Sequence, residues 1–432
     1  MLGTAGTIAS EIFVLTGHAA GIAGPMTVVA LLLGGLLSYS VALNYCELAT
    51  TYPETGGAMT YVREGFGNNL LSFLVGSMDC ISSTFYTALS ATGFAYSLQI
   101  FIPGLPTIWV AIAAILAFSI LNIIGVSMVG NVQIVLGGSL LAIFVAFIIS
   151  GFILPGGFNL ETFIYSNSYF SVHNPAAVFA RMMMTIALTY SAYVGFEVIA
   201  DDAEEVAEPN RNIPRGILIS LTICTIVYTL VSLIAIGSVP INQLAGSETA
   251  LTDAARRFWP GVGVTVMGMA GIIATLTSIN SAMLSATREA FTLSRDGTWP
   301  RAFSRLSPWR TPSMSIIFIG LISSLVAAIG IVDFLSFISS AGYLFVLFWS
   351  SLAMIVLHKK HPDLPRPFKA PLFPLTAYLA AASCFLIIAF TSKTALIFLV
   401  LVLVLFSILY FCFRYYKKWN LIRIQKEELK SN

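Results

Sequence analysis

Charge is the scarcest property of this sequence. Of its 432 residues only 10% are Asp, Glu, Lys or Arg, against about 25% in an ordinary soluble domain. Hydrophobic residues make up 57%, and the mean hydropathy is +0.88. Such a chain cannot clothe a water-facing surface and reads as a polytopic membrane protein. Histidines number 4 and cysteines 5, with no H-x-x-x-H, H-E-x-x-H or C-x-x-C spacing among them. That removes the usual grounds for a metal centre, a cofactor site or a membrane-embedded enzyme. Cys46, Cys80, Cys224, Cys384 and Cys412 lie in apolar context and read as small buried hydrophobes. The net charge of +2 is dispersed between apolar runs, which offers nothing to a nucleic acid. Met1 leads into Leu2-Gly3-Thr4 without a basic segment, so no signal peptide is expected. Charged rings or carbonyl filters repeated by symmetry, the mark of a channel pore, are also missing.

What is present is a series of apolar runs. Windows of about 20 residues divide the chain into twelve spans. They are 2–22, 26–47, 70–102, 108–124, 133–154, 182–203, 216–237, 262–287, 314–332, 334–357, 372–390 and 395–415. The polar segment from Thr50 to Asn69 reads as a loop, and 240–260 as a loop able to carry short surface helices. The first span is short on its N-terminal side, which implies either an upstream start or a shortened half-helix. Lys/Arg asymmetry sets the orientation. With both termini cytoplasmic, Arg181, Arg256, Arg257 and Lys393 alone among the 22 basic residues fall outside.

Two spans carry interruptions. The sixth contains Thr189-Tyr190-Ser191-Ala192-Tyr193-Val194-Gly195-Phe196-Glu197, a glycine and a carboxylate in an otherwise apolar run. The first contains Gly6-Thr7-Ile8-Ala9-Ser10-Glu11-Ile12-Phe13. An ionisable group at membrane depth costs several kcal/mol unless it faces a polar cavity or a partner. Matching weak points in two halves are the signature of an inverted repeat whose broken helices hold the substrate. In the orientation above, the outer half of the first span presents free N–H groups, suited to a carboxylate. The outer half of the sixth ends in free carbonyls, suited to an ammonium. Together they fit a zwitterion, of which an amino acid is the simplest.

Four patches then resemble the amino acid–polyamine–organocation family of permeases. They are Ile8-Ala9-Ser10-Glu11-Ile12-Phe13-Val14-Leu15-Thr16-Gly17; Tyr45-Cys46-Glu47-Leu48-Ala49 through Pro53-Glu54-Thr55-Gly56-Gly57; Gly195-Phe196-Glu197 to Ile213-Pro214-Arg215; and Ser294-Arg295-Asp296-Gly297 with Pro300. The resemblance implies an all-α integral membrane protein with 12 transmembrane helices. These would form a 5+5 inverted repeat (LeuT-like fold, residues 1–155 and 176–357), two further helices (370–415) and a cytoplasmic tail (416–432). Helices one and six would be interrupted. It implies secondary active transport of amino acids across the plasma membrane by alternating access, with H+ or Na+ as coupling ion and the lipid bilayer as surroundings. A polyamine or cationic amino acid substrate is the alternative.

By the same resemblance, Ala9, Ser10, Glu11 and Ile12 line the carboxylate side. Tyr193, Val194, Gly195 and Phe196 supply carbonyls, with Phe196 a gate. Ser278 and Ser281 stand where sodium-coupled relatives hold an ion. The family usually has glycine where Ala9 and Glu11 stand, and Glu11 adds a negative charge to that subsite. Some proton-coupled members carry a lysine in the fifth span; here that region reads Leu136-Gly137-Gly138-Ser139-Leu140. For single residues two readings stay open. Glu11 is a substrate-amine or proton site, or lies at the inner interface. Glu197 lines the site or braces the break. Asp79 is a proton relay or half of an interhelical polar pair. His18 is a pH sensor or interfacial decoration. Asp201, Asp202, Glu204 and Glu205 against Arg211 and Arg215 form an inner gate or a solvated helix end.

Overall fold

A computed structural model describes residues 10–53, 56–125, 130–165, 174–201, 206–245 and 247–431. Backbone alone is described at 130–134, 165, 198, 201 and 416–431. Ala9, Glu54, Thr55, Asp202, Glu204 and Glu205, and the residues before Ser10 that would show whether the first span is broken, lie outside the described residues.

Among the described residues every regular element is a helix. In order the helices are α1 (Glu11–Ala23), α2 (Met26–Thr51), α3 (Gly57–Phe66), α4 (Asn69–Gln99), α5 (Thr107–Ile124), α6 (Gly130–Ile153), α7 (Leu160–Tyr165), α8 (Pro175–Thr189), α9 (Glu197–Asp201), α10 (Pro209–Ser238), α11 (Ile241–Leu244), α12 (Ala250–Phe258), α13 (Gly263–Arg295), α14 (Ser313–Ala327), α15 (Val332–Lys360), α16 (Leu375–Ala389) and α17 (Lys393–Ser431). Seven of them are long and apolar enough to cross a membrane, and α1, α14 and α16 are shorter apolar helices. The Thr50–Asn69 segment, read as loop, contains α3. Ala58, Met59, Tyr61 and Val62 on it are buried while Glu64 is exposed, so a short amphipathic helix forms where a 20-residue window registers only polarity. The 240–260 segment carries the two short helices expected of it, α11 and α12.

Burial sorts the helices into a centre and a rim. The apolar window of α15 is 72% buried and that of α17 only 17%. Helix α4 packs along α13 and α15, and α2 along α10. On the rim, α5, α6, α14 and α17 expose rows of large apolar side chains, among them Trp109, Ile149, Ile153, Leu321, Leu325, Leu401 and Phe411. This apolar exterior is the surface a lipid environment requires, because water would leave it without favourable contacts. Cys412 is exposed on this rim, whereas the other four cysteines are buried.

Polar side chains stitch the centre. Ser82, Thr84, Thr87, Thr92, Ser350 and Ser351 return their hydroxyls to carbonyls one turn back in their own helices. Such bonds satisfy the hydroxyl locally and leave the methyl or methylene edge for packing. Other hydroxyls reach across: Ser339 donates to Ser82 O at 3.1 Å and Ser323 to Thr84 O at 3.4 Å. These two bonds tie α4 to α15 and α14 through its backbone carbonyls, while the four α4 hydroxyls named above stay within their own helix.

Candidate functional site

The interruption in the sixth span is present. Helix α8 begins about two turns earlier than the apolar window, at Pro175, because the Asn174 side chain accepts from Ala177 N–H and caps it. It ends at Thr189, and a single 3-10 turn covers Tyr190–Tyr193. Val194 is then extended at φ −74° and ψ 149°. Gly195 follows at φ +124°, a conformation that a Cβ would strain. Helix winding resumes at Glu197 as α9.

The backbone groups released by this break find specific partners. Ser336 Oγ of α15 donates to Leu188 O at 2.5 Å, and the Ser340 hydroxyl one turn on accepts from Ser191 N–H at 3.0 Å. The Glu197 carboxylate accepts from Gly195 N–H at 2.8 Å, so Glu197 braces the break. Tyr193 donates to Leu31 O at 2.5 Å and packs its ring against Tyr228. Phe196 is fully buried with its ring edge-on to Tyr45, centroids 5.8 Å apart. Phe196 and Tyr193 thus hold the broken segment in the core.

The start of α1 converges on the same place. Ser10 N–H donates to Ser278 Oγ of α13 at 3.1 Å, and the Ser10 and Ser90 hydroxyls lie 2.9 Å apart. Ser281, one turn beyond Ser278, is half-buried. Glu11 opens α1 and is completely buried. Tyr86 of α4 donates to its Oε2 at 2.6 Å. Its other oxygen, Oε1, is buried with no hydrogen-bond partner among the described residues, and the hydroxyl of Ser191, from the opposite break, is in the same condition. The Ser191 side chain is close enough to interact with the Glu11 carboxyl. The Glu11 carboxyl at the start of α1 and the Ser191 hydroxyl in the break of the sixth span thus lie beside each other in the core.

Glu11 also lines a cavity with Ile12, Leu15, Thr16, Leu31 and Ala192. Its accessible volume is about 10 Å³, about enough for one water. Thr16 is satisfied within its own helix, donating to Ile12 O. The cavity is therefore a small, mostly apolar cleft whose one ionisable group is the Glu11 carboxyl.

Asp79 of α4 is buried and within electrostatic reach of Glu197. Tyr343 of α15 reaches both carboxylates and shares a 3.0 Å hydrogen bond with Ser83. Ser10, Glu11 and Ile12 are thus brought beside the break that holds Tyr193, Val194, Gly195, Phe196 and Glu197. Ser278 touches the cluster through Ser10, and Asp79 stands behind Glu197.

Sequence reasoning gave His18 no partners, yet it joins three elements. Its Nε2 is 2.9 Å from Glu248 Oε2, in the segment between α11 and α12, and its Nδ1 is 2.8 Å from Asp333 Oδ1 at the start of α15. Each ring nitrogen thus faces a carboxylate oxygen, an arrangement that favours the imidazolium. At the preceding residue, a Cβ at Gly17 would stand 2.2 Å from Ser247 O, so no other residue lets this segment lie so close. With side chains 21% to 47% exposed, these ion pairs contribute about 1 kcal/mol in total. Replacing His18 with alanine should therefore leave thermal stability nearly unchanged. The same change should raise the thiol-labelling rate of a Leu15→Cys probe, measured with Cys412 replaced by serine. An unaltered rate would show that the pairs hold nothing shut.

A family model described as "Amino acid permease" matches residues 1–413. The branched-chain amino acid permease of Bacillus subtilis is 30% identical, the alignment covering 97% of this chain and 92% of that protein. The methylthioribose transporter of the same organism is 26% identical over 89% of this chain and 85% of its own length. Cationic amino acid transporter 6 of Arabidopsis thaliana is 28% identical over 82% of this chain and 63% of its own.

Proposed function

This chain belongs to the amino acid permease family, and from that premise we propose that it is a secondary active transporter moving amino acids across the plasma membrane by alternating access. The substrate binds where α1 begins and the sixth span breaks. The observation that carries this reading is a pair of buried polar groups with unused hydrogen-bonding capacity, Glu11 Oε1 at the start of α1 and Ser191 Oγ in the break of the sixth span, close enough to interact. Buried polar atoms are almost always paired. A cluster left open at membrane depth is the arrangement a transporter needs for a polar solute.

The architecture behind the proposal counts twelve spans. The seven long apolar helices and the three shorter ones are joined by the hydroxyl-rich α4 and by the broken pair α8–α9. We assign residues 1–155 and 176–357 to two inverted repeats, 370–415 to two additional helices and 416–432 to a tail, with both termini cytoplasmic. In this frame the His18 cluster sits at the outer end of α1, and the cavity beside Glu11, about 10 Å³ in accessible volume, must widen to admit an amino acid. Opening to either side is a rocking of the α1, α2, α8–α10 group against the remainder.

An amino acid is the substrate that the two ends accommodate. The first turn of α1 presents N–H groups to a carboxylate, and Glu11 Oε1 with the carbonyls of the break receives an ammonium. The apolar wall of Ile12, Leu15, Leu31 and Ala192 suits an aliphatic side chain. The Glu11 carboxyl also keeps a cationic amino acid or polyamine as an alternative. Uptake into liposomes containing the purified protein distinguishes them. Radiolabelled leucine uptake should be competed by branched-chain amino acids more than 10-fold better than by arginine or putrescine, a margin of about 1.4 kcal/mol. The reverse order would establish the cationic alternative, and failure of every amino acid and amine to enter would remove the transport reading.

A further inference from the structure

Glu11 presents a problem in charge balance that the family's glycine does not. The residue is completely buried, and the cavity it lines contains no Lys, Arg or His. The groups facing it from neighbouring elements are neutral donors: the Tyr86 hydroxyl on α4, at 2.6 Å, and the Ser191 hydroxyl on the 3-10 turn. The next carboxylate, Glu197 of α9, reaches this neighbourhood through Tyr86 and is itself engaged with Gly195 N–H. The one cation on α1, His18, lies seven residues on, about 10 Å along the helix, and is matched there by Glu248 and Asp333. An ionised carboxylate without a countercharge at membrane depth costs several kcal/mol. The neutral acid avoids that cost, and so does a carboxylate that has a cation beside it.

We propose that Glu11 is a shared cation site: in the empty carrier its carboxyl holds a proton, and the ammonium of the incoming substrate displaces it. The proposal rests on the reading of this cavity as the substrate site and names what the site exchanges. The step balances as a simple substitution. The O–H bond of the Glu11 acid breaks, its proton leaves to the water on the open side, and the R–NH3+ group takes its place against Oε1. Tyr86 holds Oε2 throughout, which leaves Oε1 as the exchangeable face. Because one carboxyl cannot hold both cations, substrate and proton compete. Each substrate carried one way obliges a proton to return on the same group, so the ammonium crosses in exchange for a proton. No lysine in the fifth span is needed for this coupling.

The test uses the purified full chain in detergent, in a nearly unbuffered solution containing a pH-indicating dye. L-Leucine, L-arginine and putrescine are the probes, and binding of each is measured separately with its radiolabelled form. The wild-type protein should release about one proton per probe bound, and its Kd should rise about tenfold for each unit of pH lowered while Glu11 is protonated. Glu11→Gln and Glu11→Gly remove the exchangeable proton. Where they bind, release should be absent and affinity indifferent to pH. Should a variant fail to fold or bind, the wild-type stoichiometry decides alone. Wild-type binding without proton release overturns the inference and leaves the transport reading standing. Equal release from wild type and Glu11→Gln overturns it too, by moving the proton to another group. If no probe binds at all, the substrate-site reading fails and takes the inference with it.

Discussion

Replacing Glu47 with alanine lowers the melting temperature of the detergent-solubilised protein by roughly 5–10 °C, from a loss of about 3–5 kcal/mol. Glu47 sits near the C-terminal end of α2 with its carboxylate buried, and three groups converge on it. His358 of α15 pairs with Oε1, and Arg366 Nε lies 3.2 Å from the same atom. The N–H of Ala370 donates to Oε2 at 2.7 Å. The Arg366 side chain is only 7% exposed, so removal of Glu47 leaves a guanidinium charge stranded. Its other N–H groups donate to the Pro362, Leu364 and His361 carbonyls, and His358 stacks on Phe373 at 3.8 Å. The whole 361–374 segment is therefore folded around this one carboxylate. Glu47→Gln keeps an oxygen for Ala370 but not the charge, and should cost about half as much, since hydrogen bonds to charged groups are worth roughly 1.5–3 kcal/mol. Thermal unfolding followed by size-exclusion fluorescence reads both. Melting temperatures within a degree of wild type for both variants would show that the cluster is solvated and unimportant to the fold.

Phe196→Ala produces a second large effect, on stability and transport together. The ring is fully buried, and removing a buried phenylalanine costs about 3–5 kcal/mol. It stands directly after Gly195, whose φ of +124° a residue with a Cβ would not adopt without strain. The ring abuts Tyr45, which abuts Tyr61 at 5.9 Å, so the break in the sixth span is anchored through this edge-to-face series to α2 and α3. Without the anchor, expression and melting temperature should fall and liposome uptake should collapse. Phe196→Leu, which refills much of the volume, should recover most of both. Were uptake abolished by Phe196→Ala at an unchanged melting temperature, Phe196 would be a substrate contact and not a core residue.

How much of this was readable in the sequence depends on the range of the interaction concerned. Span positions follow from hydropathy alone, and the helices start or stop within a few residues of the apolar windows at α2, α4, α5 and α6. The windows err where a helix outlives its apolar run. The eighth span was expected to end near Thr287, but α13 continues to Arg295, because charged residues in its last turns change the solvent a helix meets and not its propensity to wind. The break after Thr189 was legible because glycine and a carboxylate do not belong in an apolar span. Its bracing was not. Ser336 and Ser340 carry no local sign of their role, which exists only because α15 passes Leu188 and Ser191. The partners of His18 and Glu47 are more than two hundred residues away in sequence, where no local pattern reaches. Glu11 is the instructive middle case: its anomaly was plain from the chain, whereas its unpartnered oxygen required the surrounding helices to be in place.

The contact at Gly17 has one more consequence. The segment before α12 rests on α1 with backbone against backbone and no side chain between them, and His18 adds a charged tie beside it. A lid seated in this way has no slack, so it travels with the helix beneath it. In the proposed orientation that lid faces the exterior, within reach of an antibody fragment. A binder clasping α12 together with the beginning of α15 would trap the carrier shut without ever entering the translocation route, which makes this outer seam a point of control remote from the substrate.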